Sequence, residues 1–374
     1  MNNYLEGIIG QENARNILNN LIETSQIPHA FLFQGKEGVG KELIAVKFAQ
    51  AVNKKLLQDN NPIVKQIANL TEPYIKFIFP LPRGKNETDT CSPFEKLSQA
   101  DIQLIHEELN KKIENLYYKI KIPKAQNIKI NSIRDIKKFL SLNYTDIQYR
   151  FVLISDAHLM NEPAQNALLK NLEEPPPGVI FILITPFPSL LRETIRSRCW
   201  AINFRPLKDQ EIKDVLINFF NIDKEQAESA SPFSSGSVST ALALLERDFY
   251  LLKEKTIFIL RYSFGRKYHS ALMEFSQFIS EGDPDPVKLL IQMIIMWLND
   301  VQKYRYQKDK TFFFKDYRET LEKFNFRFPD LELNEIVSQL DDLISFFRNN
   351  VNLNTIILSL IFKLASLTSP KLKA

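Results

Sequence analysis

Residues 30–34, Ala-Phe-Leu-Phe-Gln, form a short apolar run that ends at a glycine-rich turn, and Leu43, Ala45, Val46, Phe48 and Ala49 then recur at helical spacing. A short apolar run bounded by turn residues reads as a strand, and a 3.6-residue period as a helix face, so the order is strand, loop, helix. Residues 149–154 and 179–185 read as two further buried strands, and 200–204 as a last short one. Between the first two of these, residues 161–174 carry Ala164, Ala167, Leu168 and Leu172 on one helical face. Asn161 is placed to cap that helix, and the block Pro175-Pro176-Pro177-Gly178 must end it. A further helix is predicted over 189–198. Strands alternating with helices imply a parallel sheet covered on both faces.

Two regions break this rhythm. Residues 53–129 hold Pro62, Pro73, Pro80, Pro82, Pro93 and Pro123 and a polar run over 83–90. They read as an insertion between the first and second strand–helix units, helical over about 99–118. A helix over 132–142 follows, with Ile133, Ile136 and Leu140 on one face. After Phe204 the strand signals stop. Helices are predicted over 208–220, 224–229 and 237–246, with a small-residue turn at 231–236. From Arg247 onward nearly every segment is helical, apart from the break Asp283-Pro284-Asp285-Pro286. Ile291, Ile294, Ile295 and Leu298 suggest a broadly buried helix. The expected organisation is an α/β domain over 1–206, a small helical domain over 207–246 and a helical domain over 247–374.

Composition narrows the function. The hydrophobic fraction of 44% and charged fraction of 25% are those of a globular protein with sizeable cores. With 48 Lys and Arg against 44 Asp and Glu, the net charge of +4 is too small to be a nucleic-acid signature by itself. The two cysteines, Cys91 and Cys199, exclude a disulfide framework and a cysteine-rich metal module built from this chain alone. The apolar stretch 356–362 is interrupted by Ser359, followed by Lys363 and too short to span a bilayer. The start of the chain carries no secretory pattern. The expectation is a soluble cytoplasmic protein.

The chemistry concentrates in Gly35-Lys36-Glu37-Gly38-Val39-Gly40-Lys41-Glu42. This matches the phosphate-loop pattern G-x-x-x-x-G-K-[ST] except at its last position. Glycines let backbone N–H groups converge on phosphate oxygens, the lysine adds a point charge, and the next helix points its positive end at the anion. Gly35, Gly38, Gly40 and Lys41 are the candidate ATP- or ADP-binding residues. The final Ser or Thr would hold Mg²⁺, and here it is Glu42, a carboxylate that repels phosphate unless a cation intervenes. The second strand of such a site supplies a metal-binding acid near its end, where this chain reads Ser155-Asp156-Ala157-His158. Either Asp156 takes the metal-binding place and Ala157 replaces the water-activating acid, or Ser155 aligns with the metal ligand and Asp156 is a shortened base. Asp156 can equally be the plain end of a strand. His158 and Cys199 read as packing residues. Arg196 and Arg198 lie near a helix end, where cations complement the helix dipole.

Several blocks occur together in order: Ile8-Ile9-Gly10-Gln11-Glu12, Pro28-His29-Ala30-Phe31-Leu32-Phe33, the phosphate loop, Asn166-Ala167-Leu168-Leu169-Lys170 with Leu172-Glu173-Glu174-Pro175-Pro176, and Ser197-Arg198-Cys199. Together they resemble the clamp-loader subunits of bacterial DNA polymerase III, of the AAA+ class. The match is dense over about 5–50 and 130–246. Motor subunits of that family keep Lys-Thr in the loop, Asp-Glu on the second strand and an arginine in the lid; here Glu42, Ser155-Asp156 and Thr240 stand at those places. Losing all three while keeping Ser-Arg-Cys resembles the delta-prime branch, a non-hydrolysing stator.

The resemblance implies an AAA+ phosphate-loop domain, a helical lid and a C-terminal helical collar in a five-subunit ring. It makes Arg198 an arginine finger acting in trans, with Arg196 as the competing residue, and places Thr185 at the first sensor. Implied partners are tau/gamma-type motor subunits, a delta subunit and, through the complex, the sliding clamp and primer-template DNA, with no membrane. No cofactor is required, ATP or ADP binding is doubtful, and no zinc is expected, since only Cys91 lies where the family often carries a four-cysteine module. Residues 291–298 and Phe312, Phe313 and Phe314 suit either collar contacts or a private core. Lys137, Lys138 and Lys170 suit either DNA or plain solvent. The alternatives are an active ATPase using Glu42 and Asp156 unusually, or a phosphate-loop nucleotide kinase.

Overall fold

The structure is a computed structural model that describes residues 4–55, 62–141, 147–281, 284–306, 312–347 and 351–368. Five strands form one sheet: β1 (Ala30–Gly35), β2 (Ile75–Ile78), β3 (Arg150–Ile154), β4 (Val179–Thr185) and β5 (Trp200–Phe204). Their order is β2-β3-β4-β1-β5 and every pairing is parallel. Parallel strands need crossovers, and the helices that make them cover both faces. All of β4, the middle strand, is buried.

The two faces are assigned by the alternation of side chains along each strand. Phe31 and Phe33 of β1 point to one face, where Phe31 meets Phe48 of the helix Lys41–Lys54 edge-on at 5.5 Å and Phe151 of β3 completes the cluster. Leu32, Val152, Ile154 and Leu183 point to the other face, against Leu168 and Leu172 of the helix Glu162–Glu173. The alternating aromatic and aliphatic residues of β1 thus build two cores at once.

The expected insertion holds a strand that the sequence reading did not place: within 53–129, Ile75–Ile78 pairs with β3 as the edge strand of the sheet. The prolines around it hid it, since proline is tolerated at a sheet edge yet reads as loop in sequence. The helix expected over 99–118 ends at Glu114. The helix expected over 132–142 is two short pieces, Ile130–Arg134 and Ile136–Ser141, and Leu142 lies outside the described residues. The helix expected over 189–198 is the single turn Glu193–Arg196 after a 3₁₀ turn, Pro188–Leu190.

The chain divides into two compact units. The first takes Met1–Ile222 with Ser235–Ser239, and the second takes Asp223–Ser234 with Thr240–Ala374, so the segment 207–246 expected as a lid is shared between them. The second unit is all-helical among its described residues. Its core gathers Trp297, Phe275, Phe314 and Leu340 around the long helix Asp285–Tyr306, which begins inside the predicted break, so Asp285 and Pro286 form its first turn; Asp283 of that break lies outside the described residues. Ile291, Ile294, Leu298, Phe312 and Phe314 are all buried in this unit. Of their two readings, the private core is the observed one. No helix among the described residues is long and apolar enough to cross a membrane.

Asn161 caps the helix Glu162–Glu173 as expected: its side-chain oxygen accepts from the Ala164 N–H at 3.0 Å. Asn161→Ala is expected to cost about 1 kcal/mol and Asn161→Asp to restore it, read from urea unfolding of the full chain.

Candidate functional site

In a parallel sheet all strands point the same way, so their C-terminal ends share one edge. Gly35 at the end of β1, Ser155 and Asp156 after β3, and Thr185 at the end of β4 meet there. This is where open α/β sheets bind ligands. Gln11, from the N-terminal block, is buried behind the loop; its side-chain N–H₂ donates to the carbonyls of Val39 at 3.1 Å and Arg205 at 2.7 Å. It ties the loop to the chain leaving β5.

The loop itself is built as the motif predicts. Gly38 and Gly40 have φ of 73° and 92°, which only glycine adopts at low cost. A Cβ on Gly38 would overlap the hydroxyls of Ser237 and Ser239, and one on Gly40 would lie 3.3 Å from the Tyr117 ring. The loop is therefore approached closely from above by its own chain. Lys41 is also turned inward, its ammonium donating to the carbonyls of Gly35 at 2.7 Å and Lys36 at 2.6 Å. Burial pushes that ammonium down to about 8, against the raising fields of Glu42, Glu37 and Asp156.

Glu42 answers the question its sequence position posed. One carboxylate oxygen accepts from the ammonium of Lys112 and the other from the Ser155 hydroxyl. Lys112 sits in the helix Gln99–Glu114, is 1% exposed, and donates as well to the carbonyls of Leu116, at 2.9 Å, and Tyr118. Of the two registers proposed for the second strand, it is Ser155 that reaches residue 42. Asp156 follows in left-handed backbone at φ 49°. Burial pushes its carboxyl up to about 6, opposed by Lys119 and reinforced by Glu37 and Glu42.

Segment 115–122, which follows the Lys112 helix, lies over the loop. Tyr117 stands against Gly40, and its carbonyl accepts from the Ser239 hydroxyl at 3.0 Å. Lys119 pairs with Glu37 at 2.8 Å. The space between segment and loop is about 230 Å³, below the range of about 300–1,000 Å³ usual for ligand pockets. A magnesium nucleotide does not fit this set. Its phosphates would need Lys41 released from two carbonyls and Tyr117 moved off Gly40, and its metal would meet an ammonium at Glu42.

Thr185 and His158 stand at this same edge, and the other predicted residues lie away from it. Thr185 is fully buried and its hydroxyl accepts from the Phe187 N–H at 2.9 Å, so it closes a turn. His158 packs edge-on against Phe187 at 5.0 Å. Burial pushes the Cys199 thiol up to about 12, in keeping with a packing residue. Cys91 shares a hydrogen bond with the Thr88 hydroxyl at 3.2 Å. Lys137, Lys138 and Lys170 are exposed.

Arg198 is not at the loop. It precedes β5, whose Trp200 pairs with Phe31 while Phe204 pairs with Gly35. Four residues at about 3.3 Å per residue put about 13 Å of strand between the two ends. Arg198 therefore belongs to the opposite edge of the sheet. Its guanidinium is half-exposed, donating to the Thr194 carbonyl at 2.9 Å and pairing with Glu173 at 2.9 Å. Arg196 is exposed at the end of the same short helix.

A family model described as DNA polymerase III, delta subunit, matches residues 10–208, and another, described as DNA polymerase III, delta subunit, C terminal, matches residues 254–364. The chain belongs to the DNA polymerase III delta subunit family. Subunit tau of DNA polymerase III from Bacillus subtilis is 27% identical over 322 residues, which are 80% of this chain and 50% of that protein. Subunit gamma from Buchnera aphidicola subsp. Schizaphis graminum is 28% identical over 251 residues, 66% of this chain and 58% of that protein. The chain thus spans about half the length of the curated relatives it matches. A solved gamma subunit-related protein from Thermotoga maritima aligns with 94% of this chain and 99% of its own, at 16% identity and a TM-score of 0.44. This delta-family chain has a five-stranded parallel sheet and a helical C-terminal unit.

Sequence reasoning missed Lys112, Tyr117 and Lys119. They lie about 70–80 residues past the loop, in a segment without a motif, and only the carboxylate at position 42 hinted that a cation must be nearby.

Asp156 sets a pH test. Its carboxyl titrates near 6 when folded against an ordinary 3.8, so the folded protein holds the proton more tightly and loses stability as pH rises through about 6. Asp156→Asn is expected to stabilise the chain by up to about 3 kcal/mol above pH 6, with the gain vanishing below about pH 4, in urea unfolding at a series of pH values.

Proposed function

We propose that this chain is a delta-prime-like stator of the clamp loader of DNA polymerase III. In this reading it assembles with tau/gamma-type motor subunits and a delta subunit, and takes part in ATP-driven loading of the sliding clamp onto primer-template DNA. It splits no ATP itself and lends Arg198 to the nucleotide of a neighbouring motor subunit.

One observation carries the reading. Arg198 and the phosphate loop stand at opposite ends of the sheet, so this arginine serves a nucleotide only if another chain holds it. Its chemistry suits the task. A guanidinium stays charged at all working pH values and can neutralise charge developing on a transferring phosphoryl group. Thr194 and Glu173 steady it while using two of its five N–H donors. The loop residues support the other half of the reading, since Lys41 and Glu42 are committed to partners within the chain. The family match supports the assembly.

The test is ATP turnover by the reconstituted complex. Arginine fingers are worth about 10³–10⁵ in rate at the site they serve, so Arg198→Ala should silence the adjoining motor site while the complex still assembles. Arg196→Ala should leave turnover near that of the wild type. Unchanged turnover with Arg198→Ala, or a loss confined to Arg196→Ala, would contradict the assignment.

A further inference from the structure

We infer that residues 112–122 are a resident occupant of the phosphate loop, with the Lys112 ammonium supplying from within the chain the positive charge that a bound metal would otherwise bring. The inference concerns the loop alone and stands whether or not Arg198 acts in trans.

The occupant meets the loop at successive points. Lys112 holds Glu42, the residue at the metal-ligand position of the motif. Tyr117 covers Gly40, where a backbone N–H would otherwise face phosphate, and Ser239 fastens the Tyr117 carbonyl from the far side. Lys119 pairs with Glu37 in the middle of the loop. Together these contacts place a positively charged, N–H-rich segment against the carboxylates of residues 37 and 42. Nucleotide phosphates would bring the opposite charge to the same place.

The occupant is also braced from behind. Glu108 is buried beneath it, accepting from the Tyr118 hydroxyl at 2.8 Å and from the Lys121 N–H at 2.6 Å, and pairing with Lys111 at 2.8 Å. Burial alone would raise the Glu108 carboxyl, but these hydrogen bonds outweigh it and hold it below the usual range. A carboxylate with that many donors fixes the turn after Glu114 and so fixes Tyr117 and Lys119. Lys112 itself spends its donors on Glu42 and on the carbonyls of Leu116 and Tyr118. The helix end, the turn and the loop therefore form one hydrogen-bonded block. Binding a nucleotide would require breaking it, not merely filling a space.

Glu42 and Lys112 make sense only as a pair. A carboxylate at position 42 weakens any phosphate site, and a buried ammonium at 112 requires an acid. Each charge removes the cost of the other.

The experiment is titration of the full-length chain with a fluorescent ADP analogue, with and without Mg²⁺, read by anisotropy. The wild type is expected not to bind up to about 1 mM. The double variant Glu42→Thr/Lys112→Met removes both paired charges together and restores the hydroxyl of the motif. Adding Tyr117→Ala to it clears Gly40. The triple variant is expected to bind at least about tenfold more tightly than the wild type, and in a Mg²⁺-dependent way. A triple variant that keeps its circular dichroism and melting transition yet gains no affinity would overturn the inference. Hydrogen exchange of the wild type gives a second reading that needs no variant. Amides of 115–122 should be protected and unchanged by saturating Mg-ATP. Micromolar binding by the wild type, or release of that protection by Mg-ATP, would equally overturn it.

Discussion

A carboxylate in the first turn of the helix after a phosphate loop must be neutralised, and how this is done decides what the loop can do. In this chain the charge of Glu42 is met by Lys112 and Ser155. That choice draws the end of the helix Gln99–Glu114 to the loop, brings segment 115–122 down over Gly40, and leaves Lys41 bonded to its own loop carbonyls. The motif keeps its backbone, because the glycines and the strand-to-helix turn are set by packing against β1 and by Gln11. What changes is the ligand: a piece of the same polypeptide.

The second constraint is directional. Parallel strands give the sheet two chemically distinct edges, and this chain distributes its chemistry between them. The C-terminal edge carries the loop, Ser155 and Asp156; the N-terminal edge carries Arg198, held by Thr194 and Glu173. A subunit that lends an arginine to a neighbour has no need of a working loop on the far edge. Glu173 and Arg198 come from two blocks that sequence reading found as separate motifs, and the fold makes them one ion pair.

Much of this was legible in the chain. The short apolar run over 30–34, ending at a glycine-rich turn, announces a buried strand, and Asn161 with the triple proline announces a helix and its two ends. The phosphate loop and its altered last residue were plain. What escaped were features whose cause is tertiary. β2 is short, flanked by prolines and stabilised by pairing with β3, so nothing in its own pattern distinguishes it from loop. Nothing in the sequence marks Lys112, which is almost wholly buried and is balanced by an acid 70 positions earlier. Phe312 and Phe314 fitted two roles, and only packing could choose between an interface and a core.

As proposed, this subunit contributes a cation from one edge of its sheet while the loop on the other edge stays silent. The most direct measurement is ATP turnover by the assembled complex carrying either Lys41→Ala or Arg198→Ala in this chain alone. Turnover close to wild type is expected with Lys41→Ala, and a marked fall with Arg198→Ala. A marked fall with Lys41→Ala in an intact complex, with Arg198→Ala indifferent, would contradict it.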